Sequence, residues 1–247
     1  MHDQLRIVLV GTQHPGNIGS AARAMKTMGL GRLVLVSPQR FPHPEAVALA
    51  AGAADVLDNA VVHERLEDAL ADCSLVVATT ARRRTVPIPE YSPREAALRL
   101  VQEQASGQVA LVFGRERTGL ENEELQLCHA SVSIPANPDY SSLNLAAAVQ
   151  VLAYELRVAA LEHAPAEADR ATTIDELPAS HEQLEAFFAH LAELLREIDF
   201  HKGKTPDIVL QRLRRLFQRA RPDPRELRIL RGIFSDTQRL LRKPSDS

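Results

Sequence analysis

Residues 108–120 read Gln-Val-Ala-Leu-Val-Phe-Gly-Arg-Glu-Arg-Thr-Gly-Leu. The first six, Gln108–Phe113, form a nearly continuous apolar run, which is typical of a β-strand whose two faces are both covered. Gly114 ends the run, and a loop of alternating charge follows up to Leu120. Because ligands of α/β proteins bind beyond the carboxyl ends of parallel strands, this loop is the first candidate for a binding site. A charged surface loop without a ligand is the alternative.

The same kind of run recurs on both sides of this segment. Further strands are predicted at Leu5–Val10, Leu33–Ser37, Ser74–Thr79 and Ser131–Pro135, with a marginal one at Val61–His63. Helical patterns alternate with them, at Gly19–Met28, Pro44–Ala51, Leu66–Ala71, Pro93–Gln104, Glu121–Cys128 and Ser142–Glu162. This alternation predicts an α/β domain over residues 1–162, with a mainly parallel sheet and helices on both faces.

The helix predicted over Ser142–Glu162 differs from the others because apolar side chains cover almost its whole circumference. A helix of this kind must be buried on several sides. In a small α/β domain this favours a subunit interface in addition to the core. Ser141 or Ser142 is a candidate N-cap for the helix.

A second, basic region follows residues 163–180, which lack clear periodicity and are predicted to be a linker. Residues 181–247 are predicted to form a small all-helical domain, with helices at Glu182–Ile198, Pro206–Ala220 and Pro224–Leu241. Residues 1–179 hold 15 basic and 22 acidic side chains, a net −7, and residues 200–243 hold 13 and 4, a net +9. The basic end favours an anionic partner, although a solvated helix face can have the same composition.

Six arginines of this region are the expected phosphate contacts, with Asp223 and Glu226 expected to pair with some of them inside the protein. They are Arg212, Arg214, Arg215, Arg219, Arg221 and Arg228.

Composition excludes several classes of protein. Trp is absent and aromatic residues make up only 4% of the chain, so RNA binding by aromatic stacking is disfavoured. No apolar run approaches the roughly 18 residues of a membrane span, and no secretory signal precedes Leu5–Val10; a cytoplasmic protein without membrane contact is expected. Cys73 and Cys128 stand alone, which argues against a disulfide or a metal site.

Polar residues gather after the first predicted strand, where glycines occupy positions 11, 16 and 19. Their spacing matches neither the dinucleotide-binding motif nor the P-loop. Asn17 and Arg23 are the unusual residues in this otherwise apolar segment. The alternative interpretation is that Asn17 caps the helix and Arg23 is a surface residue.

Two more strand ends carry polar residues. Thr79-Thr-Ala-Arg-Arg-Arg84 follows one strand, and its arginines, Arg82, Arg83 and Arg84, suit either phosphates or solvent. Ser141, Ser142 and Asn144 follow another strand at the start of a helix. Polar groups at a helix start suit a ligand carboxylate or an attacking hydroxyl, and helix capping is the alternative.

Taken in order, three of these segments resemble the three motifs of the SPOUT-superfamily RNA ribose methyltransferases, in their SpoU branch. The segments are Asn17-x5-Arg23, Phe113-Gly-Arg-Glu-Arg-Thr-Gly-Leu120, and Ile134-Pro continuing to Ser141-Ser-Leu-Asn-Leu-Ala-Ala-Ala-Val149. Residues 22–29 and 216–233 are similar to the group that methylates nucleotide 32 of the tRNA anticodon loop. The resemblance covers nearly the whole chain, including the helical tail.

The resemblance implies a fold and a cofactor. The family fold is a parallel sheet whose C-terminal segment forms a trefoil knot, and family members are homodimers. S-adenosylmethionine is expected to lie in the knot, held mostly by backbone groups. The matching positions are Thr79, Thr80, Ala81, Gly114, Ile134, Ser141, Ser142 and Leu143.

The resemblance also implies the reaction, which is methylation of the ribose 2′-hydroxyl of nucleotide 32, C or U, in tRNA. Arg23 is expected to reach the hydroxyl from the partner subunit, with Asn17, Glu116, Ser142 and Asn144 completing the site. A guanidinium is a poor base, so Arg23 is expected to act electrostatically. The alternatives are another RNA target, a non-catalytic RNA-binding relative, and a nucleotide-binding enzyme of another type.

Overall fold

The computed structural model describes residues 4–80, 88–163, 177–200 and 206–241 of the 247-residue chain. These residues belong to two compact units, residues 1–168 and 169–247. The first unit carries a β-sheet flanked by helices, and the described part of the second is helical. Most of the segment 163–180 lies outside the described residues, so the linker stays a prediction.

Seven parallel strands form the sheet of the first unit. They are β1 (Leu5–Val10), β2 (Leu33–Val36), β3 (Val61–His63), β4 (Cys73–Thr79), β5 (Glu90–Tyr91), β6 (Gln108–Phe113) and β7 (Ala130–Val132). Their spatial order is β3-β2-β1-β6-β4-β7-β5, and every pair of neighbours is parallel. The prediction of a mainly parallel sheet is confirmed.

The helices of this unit are α1 (Pro15–Thr27), α2 (Pro44–Ala50), α3 (Ala54–Asp58), α4 (Leu66–Leu70), α5 (Pro93–Glu103), α6 (Asn122–Gln126) and α7 (Leu145–Glu162). They cover both faces of the sheet, as β1 illustrates. Ile7 and Leu9 join a core formed with α1, α5 and α7, whereas Val8 and Val10 join a second core formed with α4 and α6. Burial on both faces explains why the strands are continuous apolar runs.

Helix α1 begins at Pro15, four residues earlier than the predicted start at Gly19. Proline suits the first turn of a helix because its missing N–H would be unpaired there, so the turn-like sequence is already helical. Gly19 has a packing role instead: a Cβ at this position would lie 2.0 Å from the carbonyl oxygen of Ala46 in α2. Glycine therefore allows the two helices to pack closely.

Other element ends differ from the predictions by a few residues. Strand β7 ends at Val132 rather than Pro135, and α7 begins at Leu145 rather than Ser142. The predicted serine cap of α7 is wrong, because Asn144 is the N-cap and its Oδ1 accepts a hydrogen bond from the Ala146 amide at 2.9 Å.

In the second unit, α8 (His181–Glu197), α9 (Pro206–Ala220) and α10 (Pro224–Leu241) contribute to a small aromatic core. Phe187 contacts Phe188, Phe217 and Phe234, with ring centroids 4.7 to 5.5 Å apart. This unit therefore has a core of its own. No helix in the described ranges of the chain is long and apolar enough to cross a membrane.

Candidate functional site

A pocket lies at the carboxyl ends of β4, β6 and β7, which are neighbours in the sheet. Its lining includes seven of the eight residues predicted to hold a cofactor: Thr79, Thr80, Gly114, Ile134, Ser141, Ser142 and Leu143. The eighth, Ala81, lies outside the described residues, as do Arg82, Arg83 and Arg84. The pocket thus gathers residues from three loops that are far apart in sequence.

The loop after β6 forms one wall of this pocket and turns back on itself tightly. The backbones of Arg115 and Gly119 exchange two hydrogen bonds, of 3.2 and 2.9 Å. Gly114 is required at the base of the turn, because a Cβ there would lie 2.2 Å from backbone atoms of Gly119 and Leu120. Any larger residue would push the two sides of the loop apart.

Arg115 fastens this loop to α6. Its guanidinium donates to both carboxylate oxygens of Glu124, at 2.9 and 3.0 Å. Bidentate arginine–carboxylate pairs fix geometry as well as adding stability. The positive charge of Arg115 is therefore committed within the protein.

Glu116, the next residue, reaches the N-terminal end of α1. Its carboxylate accepts hydrogen bonds from the backbone amides of Gln13 and His14, at 3.1 and 3.2 Å, and from the side-chain amide of Asn17, at 3.0 Å. A negative charge is stabilised at this end of a helix by the helix dipole. Partial burial alone would raise the pKa of Glu116, but the hydrogen bonds outweigh it, and the pKa lies below its usual value.

Glu116 also begins a chain of hydrogen bonds that joins the three motifs. Asn17 donates to Glu116 and accepts, through Oδ1, a hydrogen bond from the Asn144 side chain at 3.0 Å. Asn144 in turn accepts from the Ala146 amide at the start of α7. Because a carboxylate only accepts hydrogen bonds, Glu116 fixes the orientation of both asparagine side chains. The alternative prediction that Asn17 caps α1 is wrong, since His14 is the N-cap.

Residues 4–154 match the model of the SpoU rRNA Methylase family, and residues 182–246 match that of the tRNA methyltransferase TrmJ, C-terminal domain. The chain belongs to the SpoU methylase family. A relative from Sodalis glossinidius (strain morsitans), named tRNA (cytidine/uridine-2′-O-)-methyltransferase TrmJ, is 53% identical over 241 residues, which are 96% of this chain and 92% of the relative.

Solved structures extend this similarity. The crystal structure of TrmJ from Z. mobilis ZM4 is 36% identical, with a TM-score of 0.80 over 94% of this chain and 98% of that chain. A structure described as giving insights into the 2-OH methylation of C/U34 on tRNA is 28% identical, with a TM-score of 0.52. It covers 64% of this chain and 97% of its own. The trefoil knot expected of a SpoU methylase stays a prediction.

Arg23, the remaining predicted catalytic residue, is separated from the pocket of this SpoU methylase. It is exposed on α1, six residues beyond Asn17, which corresponds to about 9 Å along the helix axis. It does not line the pocket, and it makes no hydrogen bond or ion pair to any residue that the structure describes. Within one chain, therefore, Arg23 does not join the other predicted catalytic residues.

The predicted RNA-binding arginines of the second unit differ in their surroundings. Arg214 donates to Glu185 at 2.6 Å and lies 4.5 Å above the ring of Phe188, so it is committed within the unit. Arg212 and Arg219 are exposed, as are Arg221 and Arg228. This supports a phosphate-binding role for Arg212 and Arg219 better than for Arg214.

Asp223 and Glu226 both bond to the backbone at the start of α10, and their expected pairing with arginines stays a prediction. Asp223 accepts from the backbone amides of Arg225 and Glu226, and Glu226 accepts from the amide of Asp223 at 2.9 Å. These bonds satisfy backbone N–H groups at the start of α10. Both carboxylates therefore cap that helix.

Neither a metal nor a reactive thiol stands out in the described part of the chain. No group of three or more His, Cys, Asp or Glu side chains there is placed to hold a metal ion. Cys73 and Cys128 are buried, and burial raises the pKa of Cys73 to about 12. A buried thiol of this kind is chemically inert.

Sequence reasoning missed the way in which the asparagines are used. It placed Asn17, Glu116 and Asn144 in the site but assigned no contacts among them. Two signals for these contacts were available in the sequence: Glu116 follows a strand, and Asn17 lies near the start of the first helix. Only the neighbouring positions of β1 and β6 bring the two together.

Proposed function

We propose that this protein transfers a methyl group from S-adenosylmethionine to the ribose 2′-hydroxyl of nucleotide 32, a cytidine or uridine, in the tRNA anticodon loop. The observation that carries the proposal is the single pocket that gathers residues of the second and third motifs, with the first motif hydrogen-bonded to its wall. The name of the Sodalis relative, which aligns over nearly the whole chain, supports tRNA as the substrate.

The pocket has the chemical character that the cofactor requires. Its lining includes the apolar residues Phe113, Leu120 and Val132, which suit an adenine ring, and the polar residues Thr79 and Ser142. Mixed lining of this kind is typical of cofactor sites. Thr79, Thr80, Gly114, Ile134, Ser141, Ser142 and Leu143 are the residues that would hold S-adenosylmethionine. When bound, it supplies an electrophilic methyl group.

Asn17, Glu116 and Asn144 act by positioning. Their side chains bond to one another and to the backbones at the starts of α1 and α7. They fix the position of the loop after β6, which forms one wall of the pocket, relative to the segment containing Ser141 and Ser142. This holds the pocket in the geometry that methyl transfer needs. Ser142, which is exposed at the pocket, remains available to contact the reacting groups.

Arg23 would act at the pocket of a partner subunit. A guanidinium is a poor base, so Arg23 is not expected to take the proton of the ribose hydroxyl. It would instead orient a phosphate and stabilise the negative charge that develops on the attacking oxygen. Since Arg23 is exposed and does not line the pocket of its own chain, this role requires a homodimer.

An apolar stripe on α7 supports that homodimer. One side of α7 packs on α1 and α5 in the core. On its other side lie Ala147, Val151, Tyr154, Val158 and Leu161, of which Tyr154 and Leu161 are 55% and 59% exposed. An uncovered apolar stripe of this kind is typical of a subunit interface.

The competing functions make different demands on the site. Dinucleotide-binding folds place a phosphate at the N-terminal end of the first helix. Here Glu116 places a carboxylate at that end of α1, which disfavours a nucleotide-binding enzyme of another type. A different tRNA nucleotide is the stronger alternative, because the similar protein concerned with C/U34 shares this sheet unit. That protein matches only 64% of this chain. The helical tail, which matches the TrmJ C-terminal domain, is therefore the feature that favours nucleotide 32.

Mapping of ribose methylation tests the proposal directly. Total tRNA from a strain lacking the gene is incubated with purified protein and S-adenosylmethionine, and 2′-O-methylation is located at single-nucleotide resolution. We expect new methylation at nucleotide 32. Methylation at nucleotide 34 or in ribosomal RNA alone would replace the assigned substrate, and no methylation with any RNA would favour a non-catalytic relative.

A further inference from the structure

The wall loop of the pocket carries three successive charges, Arg115, Glu116 and Arg117, and two of them are neutralised inside the protein. Arg115 is paired with Glu124, and Glu116 is held at the start of α1. Arg117 is different: it is exposed, it lines the pocket, and it makes no hydrogen bond or ion pair to any residue in the described ranges. Among the residues that the structure describes, none pairs with this positive charge at the edge of the pocket.

The position of Arg117 is fixed by the loop rather than by contacts of its own side chain. It is the middle residue of the three that lie between the bonded backbones of Arg115 and Gly119. The close approach at Gly114 and the pair between Arg115 and Glu124 hold both ends of this turn. A backbone held in this way does not have to be ordered when a ligand binds, so only the side chain of Arg117 loses conformational freedom.

The chemistry of this charge favours an anionic ligand at the pocket mouth. A guanidinium matches the geometry of a phosphate and can bind it through two parallel hydrogen bonds. S-adenosylmethionine has a net positive charge, because its sulfonium and amino groups outweigh its one carboxylate, so a cation at the pocket mouth is better matched by RNA. The strand that carries the target ribose has a phosphate on each side of that ribose.

We propose that Arg117 binds a phosphate of the RNA strand at the mouth of the pocket, next to the ribose that is methylated. The inference rests on the proposed function. Arg117 is then a substrate-binding residue that anchors the RNA strand, distinct from Arg115, which only fastens the loop. Its removal should affect RNA affinity while leaving the cofactor site intact.

Four proteins test the inference: the full-length wild type, Arg117→Ala, Arg117→Lys and Arg32→Ala. Arg32 is the control for loss of a surface charge: it is exposed, its guanidinium donates to Gln108, and it precedes β2, at the amino ends of the strands, whereas the pocket lies at their carboxyl ends. For each protein we would measure tRNA affinity against salt, the KM for tRNA, kcat, and the dissociation constant of S-adenosylmethionine.

For Arg117→Ala we expect the KM for tRNA to rise about tenfold, the scale of losing one hydrogen-bonded charge contact. The plot of log affinity against log salt should become shallower by about 0.7 to 0.9, the value for one phosphate contact. Arg117→Lys should recover part of the loss, because it keeps the charge without the two-pronged geometry. Cofactor affinity and kcat should stay within about twofold of the wild type, and Arg32→Ala should match the wild type.

Three results would overturn the inference. Wild-type tRNA affinity and salt dependence in Arg117→Ala would mean that no phosphate is bound there. Weaker cofactor binding would place Arg117 on the carboxylate of S-adenosylmethionine or in the loop structure. An equal loss in Arg32→Ala would indicate a nonspecific effect of net charge. Failure of the proposed function is separable because it is read from the wild type alone, as absence of methylation at nucleotide 32, whereas the inference is read from the difference between Arg117→Ala and the wild type.

Discussion

Arg23 is the site residue whose surroundings in one chain least resemble an active site, because it is exposed and does not line the pocket. If it acts on the ribose of a substrate bound to the partner subunit, Arg23→Ala should lower methyl transfer about 10²-fold or more, the scale of removing a preorganised charge from a transition state. Cofactor affinity should be unchanged. Single-turnover rates and calorimetric titration with S-adenosylmethionine measure the two quantities.

Arg40→Ala provides the control for Arg23, because Arg40 is also exposed and does not line the pocket. Near wild-type turnover of Arg23→Ala would refute the catalytic role. A large fall in cofactor affinity would instead make Arg23 a structural residue.

Glu116 offers a test of the positioning network through pH. Its pKa is lowered in the folded protein, so its contribution to stability is complete above the usual carboxyl pKa and is lost as the pH falls through the lowered pKa. Glu116→Gln should lower the free energy of unfolding by about 0.5 to 1 kcal/mol at pH 7, because the three N–H donors keep a neutral acceptor but lose the ionised one, in a site that solvent partly screens. The difference from the wild type should shrink in acid.

Urea unfolding of both proteins at several pH values measures that difference, with Glu123→Gln as the control. Glu123 is exposed in the first turn of α6 and lies outside the network. A stability difference that is constant from neutral pH to acid would mean that the charge of Glu116 is not what holds the network.

At the scale of residues, motif spacing identified the components of the site but not their contacts. The pocket gathers seven predicted cofactor residues because each follows a parallel strand, and parallel strands end at the same edge of a sheet. The bond between Asn17 and Glu116 joins residues 99 positions apart. No local pattern contains such a contact, since it depends on β1 and β6 being neighbours.

At the scale of elements, the exposed stripe of α7 predicts how the subunits associate. The double substitution Tyr154→Glu and Leu161→Glu places two charges where an apolar interface is expected and should convert a dimer to a monomer at micromolar concentration, because desolvating unpaired charges is costly. Helix content should be unchanged, since neither side chain is in the core. Sedimentation and circular dichroism measure these properties.

Val62→Glu is the matched control for the stripe. Val62 is similarly exposed, at 52%, but lies on β3 at the far edge of the sheet, and its substitution should leave the dimer intact. A wild-type protein that sediments as a monomer would contradict both the interface and the shared site.

The elements themselves were predictable to the extent that they are long and regular. Strands β1 and β6 and helices α9 and α10 have their predicted bounds. The pattern missed β5, which has two residues, and α3, which has five, because periodicity needs a longer window. The start of α1 was misplaced because Gly16 and Gly19 resemble a turn, whereas their role is set by the tertiary contact with α2.

At the scale of the whole molecule, a site shared between subunits predicts complementation. Arg23→Ala keeps an intact pocket, and Ile134→Trp fills the pocket while keeping Arg23. When the two chains are co-expressed, each mixed dimer has one pocket that faces an intact arginine. We expect about a quarter of wild-type activity from random pairing, although each variant alone is inactive. Activity no higher than that of the separate variants would place Arg23 outside the partner's pocket.

The helical tail predicts a separable contribution to tRNA binding. Residues 200–243 hold 13 basic and 4 acidic side chains, whereas residues 1–179 hold 15 and 22. An acidic sheet unit cannot by itself attract a polyanion at long range, so the tail should supply most of the electrostatic attraction. The second unit has its own aromatic core, so removing residues 180–247 should leave a folded dimer that still binds S-adenosylmethionine but binds tRNA much more weakly.

The salt dependence of tRNA affinity distinguishes phosphate binding from a stabilising role of the tail. Arg212 and Arg219 are exposed and lie seven residues apart on α9, on one side of the helix. If these two bind phosphates, the slope of log affinity against log salt should be shallower by about 1.4 to 1.8 in Arg212→Ala/Arg219→Ala. Arg214→Ala is a contrasting variant, because its charge is already paired with Glu185; it should lower stability more than it changes the slope. Loss of the dimer and of cofactor binding on truncation would mean that the tail serves assembly, and equal slopes for all variants would mean that its arginines do not meet the RNA.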